Sequence, residues 1–342
     1  ALNLFSKNIF QELNLFKEVL NFATPFNEIK TWDSSGSSKV EFKASEASLD
    51  NLGFVVSNNA LIKLLFDFNT SNPLFTFLGG SALKAIEQTE NNVEIELEDE
   101  KKICSKLLVG ADGGLSTVRD KANIEVNTWS YEQRAVITTL SSEKSHGNVA
   151  IQVFTPTGPI ALLPFDSRDS KRISLIWSIN NDSVDAILSL SKENFCKELE
   201  SKVESELGKF SLLEEIKSFP LHQLHTKKYF NGRSVVIGDA AHTIHPLAGQ
   251  GLNLGIADAE SLIRSILIAK RTSQDIGSIE VLQRFQKDRF LRNMSMMGLM
   301  ELFKRGFQTD NPWIKLGRNL LFRKTNEINL IKKRFIKEAA GI

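Results

Sequence analysis

A run of small residues at positions 234–262, SVVIGDAAHTIHPLAGQGLNLGIADAESL, constrains the fold of this chain more than any other feature. Its apolar residues 235–237 indicate a short buried strand that ends at Gly238, where the missing Cβ allows close approach to the backbone. A helix is predicted to begin near Gly251. The order strand, tight turn, helix is typical of an open α/β sheet, which binds ligands at the carboxyl ends of its strands.

Two parts of this run are suited to hold a polar ligand. Asp239 directly follows the strand and can accept hydrogen bonds from sugar or polyol hydroxyls. The Gly249-Gln250-Gly251 turn presents backbone N–H groups at a helix N-terminus, where the helix dipole favours an anionic or electron-rich group. The run therefore predicts a binding site between Asp239 and the start of this helix.

A second glycine-containing turn occurs earlier in the chain. Residues 103–109 are predicted to form a strand, which the sequence GADG at 110–113 turns sharply into a segment ending at Arg119. An isolated Asp-Gly pair would be a generic turn. Arg119 has two interpretations, since it could anchor a phosphate group or pair with a nearby carboxylate.

Together the runs GADGGLSTVR and GDAAHTIHPLAGQGLNLG resemble the FAD-binding motifs of class A flavoprotein aromatic hydroxylases. The second run is most similar to the ubiquinone-biosynthesis hydroxylases, whose pattern GDAAHxxxPxxGQGxNxG it repeats without a gap. The resemblance extends over nearly the whole chain. It implies an α/β fold: an FAD-binding Rossmann-like domain of the p-hydroxybenzoate-hydroxylase type, an interleaved antiparallel β-sheet substrate domain, and C-terminal helices.

The resemblance also implies FAD as cofactor, NAD(P)H as co-substrate and roles for individual residues. Asp239 would hold the ribityl–pyrophosphate portion, and residues 249–253 would face the isoalloxazine edge. Asp112 would support the cofactor near its adenosine or nicotinamide side, while Pro246 and Ala248 would shape the oxygen pocket. The implied cofactor-binding residues are Asn58, Asp112, Gly113, Arg119, Gly238, Asp239, Pro246, Ala248, Gly249, Gln250, Gly251, Leu252 and Asn253. No catalytic acid or base is assigned.

Two further sets of residues have alternative interpretations. Ser57 is predicted to cap a helix that begins at Asn58, and the resemblance implies that Asn58 reaches the flavin's ribityl or phosphate region. A second capping role is the alternative for Asn58. The implied substrate wall could equally be ordinary core; it consists of Phe154, Pro164, Phe165 and Pro246.

Hydrophobic periodicity predicts the remaining elements and the domain boundaries. Helices are predicted at 2–20, 58–68 and 192–207, a hairpin at 29–42, and strands at 53–56, 73–78, 82–88, 92–97, 134–140, 149–155, 159–164 and 172–179. The predicted domains are 1–23 (FAD domain), 24–56 (substrate-domain hairpin), 57–123 (FAD domain), 124–225 (substrate β-sheet), 226–265 (FAD domain) and 266–342 (C-terminal helical region).

The start of the chain departs from the family pattern. It opens ALNLFSKNIFQELNLF, within a predicted helix, without the strand, GxGxxG turn and acidic residue with which such hydroxylases begin. The resemblance therefore predicts that roughly 35–45 residues precede position 1, the size of one βαβ unit and a strand.

Composition excludes several classes. The net charge of +1 argues against a nucleic-acid binder, and the chain has no apolar run of the roughly 18 residues that a membrane span needs. Two distant cysteines predict thiols in a reducing compartment, and the histidine pairs lack the helical spacing of zinc hydrolases, so no metal is predicted. A cytoplasmic location is predicted.

The last segment is basic: residues 311–342 contain eight Lys or Arg and two Glu, interleaved with apolar side chains. Such a segment suits either the inner face of an anionic membrane or a helix packed on its own protein. The resemblance implies hydroxylation of a polyprenylated phenol with O2, and assembly with other quinone-pathway enzymes. The alternatives are hydroxylation of a small soluble phenol, or a non-catalytic lipid-binding subunit with the same fold.

Overall fold

The computed structural model of the chain describes residues 1–34, 36, 39–245, 249–308 and 329–342. The α-helices in this part are α1 Leu4–Glu12, α2 Phe16–Val19, α3 Asn58–Thr70, α4 Thr117–Lys121, α5 Asn181–Leu188, α6 Lys192–Lys202, α7 Gln250–Arg271, α8 Ile279–Gln308 and α9 Asn329–Ala340. The strands are β1 Ala23–Phe26, β2 Glu28–Asp33, β3 Lys39–Lys43, β4 Gly53–Val56, β5 Leu83–Gln88, β6 Val93–Leu97, β7 Lys102–Ser105, β8 Leu108–Gly110, β9 Val126–Ser142, β10 Val149–Thr155, β11 Gly158–Pro164, β12 Arg172–Asn180, β13 Phe210–Leu212, β14 Lys217–Thr226, β15 Phe230–Asn231, β16 Ser234–Val236 and β17 His242–Thr243.

The chain divides into two units, each assembled from separate stretches of sequence. The sheet unit contains residues 1–65, 131–221 and 301–342, and the motif unit contains residues 66–130 and 222–300. The mixed α/β fold predicted from the sequence is confirmed. Residues 1–23 lie in the sheet unit, although the sequence places them in the cofactor domain, so the boundaries of that domain stay a prediction.

The sheet unit is built on a large, mostly antiparallel sheet. Its strands run in the order β14-β9-β12-β11-β10-β2-β3, with β13 added beside β9 and a parallel pair between β10 and β2. Alternate residues of β12 point into the core, where Trp177 packs on Phe195 of α6. One face is thus buried beneath helices, as alternating patterns predict. The predicted strands at 134–140, 149–155, 159–164 and 172–179 are confirmed.

Four predicted elements differ from the structure. The helix predicted at 192–207 ends at Lys202. The helix predicted at 2–20 is interrupted at Asn14, which has a φ of +57° outside the helical range, and the following residues form α2 and a 3₁₀ turn. The strand predicted at 103–109 is two strands, since β7 pairs with β6 while β8 pairs with β16. The strand predicted at 73–78 is absent: its β-forming residues have no partner strand among the described residues, and Leu74 and Phe77 are exposed.

A small three-stranded sheet, in the order β15-β16-β8, forms the centre of the motif unit. Val235 and Val236 of β16 are fully buried against Leu262 of α7 and Phe285 of α8. The short apolar stretch after Arg233 therefore forms a strand because both of its faces are covered. The predicted start of α7 near Gly251 is confirmed.

Helix α9 packs against the sheet unit. Ile336 is buried in a cluster with Phe26 and Ala44, and the buried Lys332 places its Nζ 2.7 Å from Glu46 Oε1. Lys333, Arg334 and Lys337 lie exposed on the other side of the helix. This part of the basic tail therefore packs on its own protein, while residues 309–328 lie outside the described residues. None of the described helices combines the length and the apolar character required to cross a bilayer.

Candidate functional site

The two glycine-containing turns come together at one edge of the small sheet in the motif unit. Strands β8 and β16 are parallel, with Gly110 paired to Val236, and Ile237 N donates a 3.0 Å hydrogen bond to Gly110 O. Because parallel strands end at the same edge, the turns that carry Asp112 and Asp239 both lie at the carboxyl ends of this sheet. The sequence correctly predicts each strand-to-turn transition, but it does not show that the two strands are neighbours.

The turn after β16 packs closely against the backbone of α7. Gly238 has a φ of +59°, a left-handed conformation that favours glycine. A Cβ on Gly255 would lie 3.3 Å from Gly238 Cα, so two glycines let the helix and the turn approach each other. The space left by Gly238 therefore faces the helix that begins at the candidate site.

Asp239 lies at the first turn of α7. Its Oδ1 is 3.9 Å from the position that a Cβ of Gly251 would occupy. The side chain reaches solvent but lies among dense protein atoms, and this partial burial raises the pKa of the Asp239 carboxyl. Among the described residues no donor reaches the Asp239 carboxylate by a hydrogen bond. The carboxylate is therefore available to accept hydrogen bonds from ligand hydroxyls.

The start of α7 has the geometry of an anion-binding helix terminus. Gly249 adopts a left-handed conformation with φ +61°, and the helix begins at Gln250. Gln250 and Asn253 are buried, and Asn253 Nδ2 donates a 3.2 Å hydrogen bond to Gly249 O. Leu252 is exposed. The first backbone N–H groups of this long helix, near Asp239, are suited to an electron-rich ligand edge.

In the turn at residues 110–113, Asp112 also has a local structural role. Its Oδ1 accepts from Ser116 Oγ at 2.5 Å, and its Oδ2 accepts from Val118 N at 3.1 Å. Asp112 thereby supports the start of α4, whose N-cap residue is Ser116. Gly113 has a φ of +82°, and a Cβ there would meet no atom within 4 Å among the described residues. The backbone beside Asp112 is thus open to a ligand.

Arg119 connects the two turns. Its buried guanidinium donates from Nη1 to Gly114 O at 3.0 Å and to Ala240 O at 3.3 Å. Its Nε lies 3.2 Å from Asp120 Oδ1. The interpretation of Arg119 as the partner of a nearby carboxylate is therefore confirmed, while phosphate contact stays a prediction.

The other predicted site residues lie elsewhere. Asn58 is exposed at the start of α3 in the sheet unit, where Ser57 Oγ accepts from Ala60 N at 3.4 Å, so the predicted Ser57 cap is confirmed. Phe154 is buried in β10 and Phe165 packs against a core cluster, as ordinary core residues do. Pro164 ends β11 and is also buried. Pro246 and Ala248 lie outside the described residues.

A buried polar network contacts the turn Gly238–Ala240, called here the Gly238 turn. The centre of this network is Asp258 of α7. Asp258 is fully buried, with Oδ2 3.0 Å from Gly238 N and 2.5 Å from His242 Nε2. Its Oδ1 accepts from Arg289 Nε at 2.8 Å and from Asn293 Nδ2 at 3.0 Å. Burial alone would raise the pKa of Asp258, but the hydrogen bond and charge of His242 and the charge of Arg289 hold it below its usual value.

Sequence reasoning missed Asp258, although one signal was present. Leu254, Asp258 and Leu262 follow one another at i, i+4 spacing, so the carboxylate lies on the apolar face of α7. A buried acidic residue at such a position requires charge or hydrogen-bond partners. Arg289 and Asn293, more than 30 residues away, could not be identified as those partners from spacing alone.

His225 shares this buried region and is expected to make stability depend on pH. Its Nε2 lies 3.2 Å from Tyr229 Oη, and burial, followed by the charge of His242, lowers its pKa to about 4. The unfolded chain takes up a proton near the ordinary histidine pKa of about 6.5, whereas the folded chain does so only near pH 4. The contribution of His225 to the free energy of unfolding is therefore fully present above about pH 6.5, and it is lost as the pH decreases towards 4.

We expect the free energy of unfolding to fall by about 1 kcal/mol per pH unit across this window because of His225. Urea unfolding between pH 7 and pH 4 measures this slope. His225→Phe should flatten it, whereas the matched variant His222→Phe, at an exposed position of the same strand, should leave it unchanged. An unaltered slope in His225→Phe would show that other groups control the acid response.

Comparisons with known proteins agree with this geometry. The family model described as an FAD binding domain matches residues 9–296. The chain is 33% identical over 319 residues to the 3-demethoxyubiquinol 3-hydroxylase of Escherichia coli, covering 93% of this chain and 80% of that protein. It is 31% identical to the mitochondrial ubiquinone biosynthesis monooxygenase COQ6 of Xenopus tropicalis, covering 92% of this chain and 76% of that protein.

Solved structures support the same fold. The p-nitrophenol 4-monooxygenase PnpA of Pseudomonas putida aligns with a TM-score of 0.79 and 16% identity, over 99% of this chain and 87% of that one. PqsL of Pseudomonas aeruginosa, described as a probable FAD-dependent monooxygenase, aligns with a TM-score of 0.79 and 20% identity, over 95% of this chain and 88% of that one. By the family match and its curated relatives, the chain belongs to the ubiquinone-biosynthesis branch of the FAD-dependent hydroxylases.

Proposed function

We propose that this hydroxylase acts on the aromatic ring of a polyprenylated phenol in ubiquinone biosynthesis, using NAD(P)H and O2. The observation that carries the proposal is the Asp239 carboxylate at the N-terminus of α7, which accepts no hydrogen bond from the described residues, in a chain 33% identical to a hydroxylase named for a ubiquinol. A carboxylate at a strand end and a helix N-terminus suit the hydroxyl and electron-rich parts of a flavin dinucleotide.

The residues of the motif unit fit FAD in a specific manner. Asp239 would accept hydrogen bonds from the ribityl–pyrophosphate portion, and the backbone of residues 249–253 would face the isoalloxazine edge, where N–H groups stabilise negative charge. Asp112 would support the cofactor near its adenosine or nicotinamide side, and Gly113 would let the cofactor approach the backbone closely. The missing Cβ of Gly238 faces α7 instead, so Gly238 would act by shaping the turn that carries Asp239. When bound, FAD accepts hydride from NAD(P)H and supplies the oxygen chemistry, so the protein provides position, electrostatics and exclusion of water.

Other roles of individual residues are part of the same proposal. Asn58 would contact the ribityl or phosphate region, and Arg119 would favour the phosphates through its positive charge. Pro246 and Ala248 would shape the oxygen pocket. The proposed substrate wall is apolar, as a polyprenylated ring requires; it comprises Phe154, Pro164, Phe165 and Pro246.

We further propose peripheral contact with the inner face of a membrane, where a polyprenylated substrate dissolves. The exposed Lys333, Arg334 and Lys337 on α9 would face anionic headgroups, while Ile336 stays packed on the sheet unit. Other basic residues of the segment 311–342 would take part, apart from the buried Lys332, and the protein would assemble with other quinone-pathway enzymes.

Product analysis tests the proposal. The purified chain, and a version extended at its N-terminus by a grafted glycine-rich βαβ unit, would be supplied with FAD, NADH or NADPH, and O2. We expect a short-chain polyprenylated phenol to stimulate NAD(P)H oxidation and to gain one oxygen atom by mass spectrometry. A gain restricted to a small phenol such as 4-hydroxybenzoate would favour the soluble-substrate alternative, and binding of the prenylated phenol without turnover would favour a lipid-binding subunit.

A further inference from the structure

We propose that Asp258 is a positioning residue for the cofactor site: its buried carboxylate holds the Gly238 turn in the conformation that presents Asp239. The inference rests on the proposed cofactor role of Asp239. Asp258 would not touch the cofactor itself, because its carboxylate is fully buried and its hydrogen bonds go to the protein. Its effect on the cofactor would be transmitted through the backbone of the turn.

The Asp258 carboxylate is saturated with hydrogen bonds. Each oxygen accepts two hydrogen bonds, Oδ2 from Gly238 N and His242 Nε2, and Oδ1 from Arg289 Nε and Asn293 Nδ2. A carboxylate has about four lone-pair directions, so no acceptor capacity is left for a ligand. The four donors also require an acceptor on both sides of the group, which only an ionised carboxylate supplies.

The hydrogen bond from Gly238 N to Asp258 holds the residue immediately before Asp239. Gly238 is held in a left-handed conformation, and its N–H is directed into the protein by Asp258. The next residues form a single 3₁₀ turn, closed by a 2.9 Å bond from Ala241 N to Gly238 O. With its start anchored, this short turn gives Asp239 one orientation at the N-terminus of α7.

Asp258 is itself held in place by residues of α8. Arg289 and Asn293, both on α8, are joined by a 2.8 Å bond from Arg289 Nη2 to Asn293 Oδ1, and Asn293 Nδ2 also lies 3.0 Å from Tyr229 Oη. Asp258 therefore connects α7, α8 and the Gly238 turn. Nδ1 of His242 is buried without a hydrogen-bond partner among the described residues, but the bonds that join Asp258, Arg289, Asn293 and Gly238 N favour one geometry of the network.

Asp288 offers a matched control in the same pair of helices. Its Oδ2 accepts from Ser261 Oγ at 2.6 Å and from Arg264 Nη2 at 2.7 Å, so it also links α8 to α7. No hydrogen bond described for Asp288 reaches the Gly238 turn. Asp288→Asn thus makes the same chemical change as Asp258→Asn, without altering the anchor of the turn.

The experiment compares wild type, Asp258→Asn and Asp288→Asn, and confirms folding of each by far-UV circular dichroism at low temperature. Asparagine at position 258 would direct an amide N–H at two of the four donors, which should release the turn. We expect hydrogen exchange of peptides spanning residues 237–243 to be about tenfold faster or more in Asp258→Asn and nearly unchanged in Asp288→Asn. The FAD dissociation constant should rise by about tenfold or more only in Asp258→Asn, with an altered circular dichroism spectrum of the bound flavin.

A second pair of variants keeps the test decisive if Asp258→Asn does not fold. His242→Gln retains a donor for Asp258 and should keep exchange and FAD affinity near the wild-type values, whereas His242→Leu should make exchange faster and lower the FAD affinity. Equal exchange and equal FAD affinity in Asp258→Asn and wild type, or equal losses in the Asp288→Asn control, would overturn the proposal. Failure of both the chain and its N-terminally extended version to bind FAD would overturn the proposed function instead, and the exchange of residues 237–243 would then decide the role of Asp258.

Discussion

Replacing Asp239 with alanine is expected to raise the dissociation constant for FAD by roughly 10- to 100-fold. The carboxylate has no hydrogen-bond donor among the described residues, so the bonds it would make in the holoenzyme go to the cofactor. A hydrogen bond to a charged group contributes about 1.5–3 kcal/mol, and about 1.4 kcal/mol corresponds to a tenfold change in affinity. Titration of FAD into the apoprotein, followed by quenching of flavin fluorescence, measures the effect.

Stability should change little in Asp239→Ala, because the carboxylate has no ion-pair partner in the part of the chain that the structure describes. Asp99→Ala is a suitable control: Asp99 is an exposed carboxylate of the same unit that pairs with Lys101. We expect the control to bind FAD as the wild type does. If Asp239→Ala bound FAD within threefold of the wild type, Asp239 would have no part in the cofactor site.

Replacing Arg289 with methionine is expected to lower the free energy of unfolding by about 3–5 kcal/mol, because it leaves the fully buried Asp258 without its arginine partner. Methionine retains most of the side-chain volume, so a cavity contributes little to the loss. Urea unfolding at neutral pH, followed by far-UV circular dichroism, gives the change in unfolding free energy.

Two further variants separate charge burial from general damage. Arg264→Met removes an arginine that is largely exposed in its pair with Asp288, and it should change stability by only about 0–1 kcal/mol. The double variant Asp258→Asn/Arg289→Met removes both buried charges, and it should recover part of the stability lost in Arg289→Met. A loss below about 1 kcal/mol in Arg289→Met would show that Asp258 does not depend on this cation.

The sequence predicts the local parts of the site because those parts depend on neighbouring residues. The apolar stretch before Gly238, the turn, and the helix that begins at Gln250 follow within one short run, and the structure has all three. The strands of the sheet unit were equally predictable, because strands such as β12 alternate between buried and less buried residues along most of their length. Local patterns also located the Ser57 cap.

Features that depend on distant partners could not be predicted. The parallel pairing of β8 with β16 joins residues more than 120 positions apart. Asp258 accepts hydrogen bonds from Arg289 and Asn293, which are also distant in the sequence. The stretch at 73–78 shows the reverse error: its composition favours a strand, but a strand also needs a neighbour to pair with. Side-chain chemistry was therefore predictable at the turns, whereas the network that supports them required the three-dimensional structure.

The most direct test of the cofactor site is the visible absorption spectrum of the purified chain after incubation with FAD and removal of free flavin. The spectrum would be recorded for the chain itself and for the version extended by the glycine-rich βαβ unit, before and after addition of NAD(P)H without O2. We predict retained flavin absorption that is bleached by NAD(P)H in at least the extended version, and lost on replacement of Asp239. Absence of retained flavin from both versions would contradict an FAD site built on Asp239 and the N-terminus of α7.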